Sequence, residues 1–260
     1  MTSSAKPGRV KKIAAPKTSG RLFDLMRSQE YGGRRECLGL IFSGKVEWGY
    51  PESCGKIEWK TAEDPLEILE TKDLWLRVAG EDLPYMDKVY IAFNKPANVE
   101  CSHNPASHIS LFDFFPGSYM VRGVQPVGRL DADTTGLLLL TDDGVFNHDV
   151  ISPRRKQPKT YRVGVKHPLT PDQISALEQG VILRDDPTPT LPAIVHRLSE
   201  READIIITEG RYHQIKRMVA AAGNRVESIH RSAIGPLDLG ALPEGEWRYL
   251  TPEEISLFRN

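Results

Sequence analysis

The chain has 260 residues, and 34 Lys and Arg stand against 35 Asp and Glu for a net charge of -1, so bulk charge announces no polyanionic partner. With 40% hydrophobic and 27% charged residues it has the composition of a globular protein of one large or two small domains. No apolar run approaches the roughly 18 residues of a membrane helix, the N-terminus lacks the apolar middle of a signal peptide, and the three cysteines Cys37, Cys54 and Cys101 are too few for a disulfide framework, pointing to free thiols in a reducing cytoplasm.

Residues 1–19 hold Lys6, Arg9, Lys11, Lys12 and Lys17 and no acid. With their Ser, Pro and Gly content they read as a disordered basic arm, either touching nucleic acid or merely solubilising. The segment 21–48 predicts two short helices and a strand. Leu22, Leu25 and Met26 recur at helical spacing and Gly32-Gly33 ends the run; Cys37, Leu38 and Ile41 repeat the pattern. Arg27, Arg34, Arg35 and Lys45 stay off both apolar stripes, as a basic face for phosphates or as a solvated face. "GKIEWK" and "LWLRV" predict short strands, and "GEDLPYMD" (80–87) reads as a linker.

Beyond it, "KVYIAFNKP" predicts a strand ending at Pro96 and "KTYRVGV" a strand with Tyr161, Val163 and Val165 on one face. "LTPDQISALEQG" predicts a helix with Thr170 as N-cap, Pro171 in the first turn and Gly180 at the exit. "DIIIT" (204–208) predicts a buried strand and "RYHQIKRMVAAAGN" a helix closed by Gly223. "LTPEEISLF" repeats the Thr-Pro start, with Glu254 placed for a capping box.

Two charged knots hold the candidate chemistry. In "GRLDADTTGLLLLTDDG" (128–144), Asp131, Asp133, Thr135, Gly136 and Asp142 approach the spacing of a calcium loop. That reading fails: the ninth position is Leu139, which offers no oxygen, the twelfth is Asp rather than Glu, and the flanks are not amphipathic helices. Cys101, His103 and His108 lack a second paired cluster, so no metal site is expected. No phosphate-cradling glycine loop occurs, so no nucleotide or redox cofactor is expected. In "EGRYHQIKRM" (209–218), His213, Lys216, Arg217 and Ala220 fall on one helical face, with Ile215, Met218, Val219 and Ala222 on the other. Lys216 or Arg217 is solvated, binds phosphate, or pairs with Asp131, since a nucleophilic carboxylate in a dry pocket needs a nearby cation to stay ionised.

Together "GRLDADTTGLLLLTDDG", "KTY", "EGRYHQIKRM" and "NKP…CSH" resemble the pseudouridine synthases that modify bacterial ribosomal RNA, in the branch typified by the 16S rRNA uridine synthase. The resemblance spans 88–260. Residues 20–83 resemble, more loosely, the S4-type RNA-binding domain that often precedes that catalytic domain, with an insertion at about 49–72. This implies an α+β fold: a catalytic domain with a mixed, largely antiparallel central sheet, preceded by a small α/β domain.

The resemblance also implies roles. Asp131 is the catalytic nucleophile, Lys216 the cation paired with it, and Tyr161 the ring that stacks on the flipped uracil, although the strand pattern alone makes Tyr161 an ordinary core aromatic. Arg129 helps hold the target nucleotide out, and Ile215 lines the pocket. Arg34, Arg35 and Lys45, of the basic face read from the residues themselves, are the expected RNA contacts of the first domain. Asp133 is expected to serve the turn. The implied activity is cofactor-free isomerisation of a uridine in 16S rRNA, within a partly assembled small subunit, by a cytoplasmic monomer. The alternatives are the same chemistry on 23S rRNA and a non-catalytic ribosome-assembly protein. An Asp131–Lys216 pair argues against the latter, because burying an ion pair is costly and mere binding has no use for it.

Overall fold

The structure is a computed structural model and describes residues 18–152 and 154–259. Most of the basic arm expected at 1–19 lies outside the described residues. The chain divides after Asp87 into two compact units.

The first unit runs β1 (Ser19–Arg21), α1 (Leu22–Ser28), α2 (Arg34–Phe42), β2 (Val46–Gly49), β3 (Lys60–Thr61), β4 (Ile68–Glu70), β5 (Trp75–Val78) and β6 (Glu81–Pro84). The sheet order is β3-β2-β5-β6, all antiparallel, with β1 and β4 forming a separate ladder. Leu22, Leu25, Met26, Cys37 and Ile41 from the helices pack on Val46, Trp48, Leu76 and Val78 from the sheet. Leu38 is only half-buried, and Leu40 joins the packing instead. The segment read as an insertion supplies β3 and β4 and buries Ala62 and Leu69 in this core. The linker reading of 80–87 is corrected: Glu81–Pro84 pairs with β5 and buries Leu83, and the division falls after Asp87. Its Asp-Pro-Gly-rich composition concealed one apolar side chain placed opposite Leu76.

The second unit continues with β7 (Tyr90–Lys95), β8 (Val99–Glu100), β9 (Ile109–Ser110), α3 (Gly117–Val121), β10 (Gln125–Pro126), β11 (Thr135–Thr141), α4 (Gly144–Ile151), β12 (Lys159–Val165), α5 (Pro171–Gln179), β13 (Ile194–Arg197), β14 (Glu202–Ile207), α6 (Gln214–Ala221), β15 (Val226–Ile234), β16 (Leu237–Asp238), β17 (Trp247–Tyr249) and α7 (Pro252–Ser256). Among the described residues its main sheet has nine strands, with the path β13-β14-β12-β15-β11-β7-β17 and β10 and β16 on its margins. Every pairing in it is antiparallel except β11 with β15, so the fold is α+β with a mixed, largely antiparallel sheet.

The leucine run explains itself here. A strand inside a sheet covered on both faces needs no polar alternation. Leu137 through Leu140 are fully buried in β11, and Leu137 and Leu139 pack with Phe146 and Val150 of α4. β14 differs from its expected full burial: Ala203, Ile205 and Ile207 face the core while Asp204 pairs with Arg162 on the other face. Both Thr-Pro helix starts form, with Thr170 accepting from the Gln173 amide and Thr251 from the Glu254 amide.

β11 and β15 meet over only two pairs, Thr135 with His230 and Gly136 with Arg231. Gly136 has φ +103°, and a Cβ built there would lie 2.3 Å from the Arg231 carbonyl oxygen. Only glycine permits that approach. The Arg231 Nε donates to the Leu137 carbonyl at 2.7 Å, and the Thr135 hydroxyl sits 2.9 Å from His230 Nδ1. This short seam joins β7, β11 and β17 on one side to β12, β13, β14 and β15 on the other.

Candidate active site

The loop between β10 and β11 carries Arg129, Asp131 and Asp133 and is held from below. Lys95, fully buried at the end of β7, donates to the carbonyls of Pro96 at 2.8 Å and Ala132 at 3.2 Å. The Asn98 amide donates to the same Ala132 carbonyl at 2.8 Å, and the Thr134 amide closes a turn on the Asp131 carbonyl at 3.1 Å. Ala132 is thus pinned while the side chains on either side of it project outward. Burial lowers the pKa of the Lys95 ammonium, against the pull of Cys101 and the two aspartates.

The second knot arrives across the seam. α6 starts later than expected: Arg211 to His213 form the turn before it, and His213 is its N-cap with φ +49°, a left-handed conformation. Arg211 is spent on structure. Its guanidinium binds Glu209, Asp186 and the carbonyls of Thr188 and Pro189. Ile215, Met218 and Val219 bury one face of α6, which leaves Lys216 on the open side. Arg217 turns away to pair with Asp185.

At the junction, Lys216 Nζ lies 2.7 and 2.8 Å from the two oxygens of Asp133 and 3.4 Å from Asp131 Oδ2. His213 Nε2 lies 3.4 Å from Asp131 Oδ1. The expected pairing of Lys216 with Asp131 is therefore shared, and its short arm goes to Asp133. Asp133 is more than a turn residue: it and Asp131, two positions apart on either side of the pinned Ala132, reach the same ammonium. Burial lowers the Lys216 pKa, but Asp133 and Asp131 outweigh it and the net shift is upward. Burial likewise raises the Asp133 carboxyl, Lys216 outweighs it, and the net shift is downward. Lys216 is thus a firm cation beside two carboxylates.

Arg129, Asp131, Tyr161, Ile215 and Lys216 line one cavity of about 460 Å³, within the range of small-molecule sites, roughly 300–1,000 Å³. Tyr161 is half-buried and lines this cavity while packing on the core cluster of β12, β14 and α6, so it is not an ordinary core aromatic. Arg34, Arg35 and Lys45 belong to the first unit and are exposed there. Three residues were not singled out as site residues from the sequence: His213, whose ring stacks on Tyr212 at 3.7 Å, and Lys159 and Arg231, which line the cavity. The lysine stood in the quoted "KTY"; the arginine stood in no motif, and only the register of β15 brings it here. Among the described residues no group of three or more His, Cys, Asp or Glu is gathered as for a metal ion, and Cys101 instead contacts the Leu130 carbonyl.

Residues 89–221 match the profile of the family described as RNA pseudouridylate synthase. The ribosomal small subunit pseudouridine synthase A of Pasteurella multocida is 40% identical over 195 residues, which cover 74% of this chain and 82% of that protein. An uncharacterized RNA pseudouridine synthase of Bacillus subtilis, YtzG, is 34% identical over 242 residues, 91% of this chain and 97% of that one. A crystal structure of a pseudouridylate synthase superposes with a TM-score of 0.63 at 32% identity, covering 92% of this chain and 99% of the other.

Proposed function

Because the chain belongs to the RNA pseudouridylate synthase family, we propose that it isomerises a uridine of small-subunit ribosomal RNA to pseudouridine with Asp131 as the acting carboxylate. The observation that carries this reading is the convergence of Arg129, Asp131, Tyr161, Ile215 and Lys216 on one cavity from three distant stretches of chain. The choice of small-subunit RNA is supported by the names of relatives at 40% identity and above.

The chemistry asks little of outside groups. The N1–C1′ bond breaks, the uracil turns, and C5 bonds to C1′; no electron or group enters from elsewhere. The target must first leave its stack, at a cost of a few kcal/mol. Stacking on Tyr161 returns about 1–3 kcal/mol of that. Asp131 then works at the sugar, by attack on carbon or by taking a proton, with Lys216 and His213 within 3.4 Å to orient it. Asp133 holds Lys216 in place from its other side.

The first unit is proposed to be an S4-type RNA-binding domain. Arg27, Arg34, Arg35 and Lys45 are exposed and outside its core. Arg34 and Arg35 occupy the first turn of α2, where the helix dipole disfavours cations and favours an approaching phosphate. Among the described residues no helix is long and apolar enough to cross a membrane; with three free cysteines, a cytoplasmic enzyme is the reading that fits.

The test is pseudouridine mapping on unmodified small- and large-subunit ribosomal RNA, with and without early ribosomal proteins, by carbodiimide adducts and reverse-transcription stops. One new stop in small-subunit RNA, lost in Asp131→Asn with folding and RNA affinity intact, is expected. A stop only in large-subunit RNA would move the substrate. Tight binding with no stop would leave a binding protein.

A further inference from the structure

The cavity is lined by two further cations that the steps above leave unused. Lys159 and Tyr161 are alternate residues of β12, and Tyr161 stands opposite Arg231 of β15. The three side chains line the same cavity. Arg231 is 3% exposed, and its guanidinium lies 6.0 Å over the Tyr161 ring. Nε is engaged by Leu137, but Nη2 is buried and finds no hydrogen-bond partner among the described residues. Lys159 donates to the Gln157 carbonyl at 3.1 Å. Burial and then Arg231 lower its pKa, and no carboxylate offsets them. The cavity lining therefore holds Asp131 beside Lys216, and, apart from them, Lys159 and Arg231, neither of which is paired with a carboxylate among the described residues.

A buried donor left empty is rare in folded proteins and calls for an explanation. The geometry supplies one. A base lying on Tyr161 has its edge beside the guanidinium that overhangs that ring, while its sugar must lie towards Asp131. Phosphates, by contrast, follow the backbone to Arg129, which lines the cavity and is exposed.

Resting on the uridine-isomerase reading, we propose that Arg231 is a further catalytic residue, whose Nη2 donates to an exocyclic oxygen of the target uracil and holds the negative charge that develops when the base detaches, with Lys159 adding positive potential. As N1–C1′ breaks, its electron pair stays with N1 and spreads to O2 and O4. Arg231 meets that charge in a water-poor site with its donor already in place, the arrangement that makes oxyanion donors effective. The base then turns, C5 supplies the pair for the new bond to C1′, the C5 proton leaves to solvent and N1 takes one up. If Asp131 has bonded to C1′, that bond breaks as C5 attacks; if it has taken a sugar proton, it returns it. Nothing is oxidised or reduced.

The test compares single-turnover rates of N1–C1′ cleavage by the full chain on RNA with uridine or 5-fluorouridine at the mapped site; fluorouracil has no C5 proton to release, so cleavage rather than formation of pseudouridine is read. Fluorine at C5 withdraws electrons and makes uracil a better leaving group, so it substitutes for part of what Arg231 does. Arg231→Met is expected to slow base detachment on the order of 10²-fold with uridine, at unchanged RNA affinity, and clearly less, about tenfold, with fluorouridine. A merely structural arginine would lose the same factor on both RNAs, and that result, or no loss at all, overturns the proposal. If Arg231→Met does not fold, the same two rates are read on Arg231→Lys, which keeps a cation at the seam. Wild-type protein that turns over neither RNA would remove the isomerase reading itself, and the subsite with it.

Discussion

Replacing Gly136 by alanine tests whether the seam holds the site together. At φ +103° a side chain is strained whatever the space, and such conformations cost about 1–3 kcal/mol. The added Cβ would also lie 2.3 Å from the Arg231 carbonyl oxygen and 2.7 Å from its nitrogen. Backbone cannot step aside as a side-chain tip would, so β11 must retreat from β15. The bonds at risk are Arg231 to Leu137 and Thr135 to His230, each worth about 1 kcal/mol. The sum is about 3–5 kcal/mol, a large fraction of the roughly 5–15 kcal/mol that keeps a domain folded. At about 2–4 °C per kcal/mol, melting should fall by roughly 10 °C. Because Arg129 and Asp131 lie on one side of the seam and Tyr161, Ile215 and Lys216 on the other, turnover should fall well below the folded fraction. Urea and thermal unfolding of the full chain, read beside single-turnover rates, check both. A loss under about 1 kcal/mol with full activity would refute the seam's role.

Three other substitutions separate neighbouring explanations. Asp133→Asn removes the short partner of Lys216 but leaves Asp131, so the rate should drop several-fold and stay far above that of Asp131→Asn; equal losses would mean that the wrong carboxylate has been assigned. Arg34→Glu with Arg35→Glu should weaken RNA binding and reduce the salt slope by about 0.7–0.9 for each phosphate no longer neutralised, whereas an unchanged slope marks those arginines as a solvated face. Asp143 caps α4 through the Val145 and Phe146 amides and binds Tyr90 and Arg259. Burial raises its pKa, these partners outweigh it, and the folded value lies below the ordinary 3.8. Its stabilisation is therefore full above the unfolded value and lost as pH falls through the folded one. Asp143→Asn should cost about 1–2 kcal/mol at neutral pH, and unfolding curves of mutant and wild type should converge below pH ~3.8; a gap that persists in acid would assign the effect to shape rather than charge.

The local parts of this fold were legible in the sequence. Thr170-Pro171 and Thr251-Pro252 start helices because the cap and the proline act within one turn. The four leucines mark a core segment because no alternation interrupts them; that the segment is a strand covered on both faces rests on its pairing with β7 and its full burial. What was not legible depends on register between distant strands. Nothing near Gly136 says that Arg231 will lie against it, and nothing near Arg231 says that it will overhang Tyr161. Leu83 looked like a linker residue because its value lies in the strand opposite. A pairing of Asp131 with Lys216 or Arg217 is one of the readings the residues offer; resemblance selects Lys216 and ranks Asp133 as a turn residue, and only the placement of α6 gives Asp133 the shorter bond.

The two-pair junction between β11 and β15 also orders events in time. The Leu137–Arg231 bond joins residues 94 apart in the chain. The β11–β7 and β12–β14 ladders close shorter loops and present longer interfaces, and pairings between chain-distant residues form slowly because loop closure must precede any gain from them. β11 can thus pair with β7, and β12 with β14, before the two sides lock, whereas β17 meets β7 across a longer stretch of chain than the seam spans and by the same reasoning joins later. The cavity needs that locking, because Asp131 stands on one side of the seam and Tyr161 on the other, so catalytic competence does not precede it.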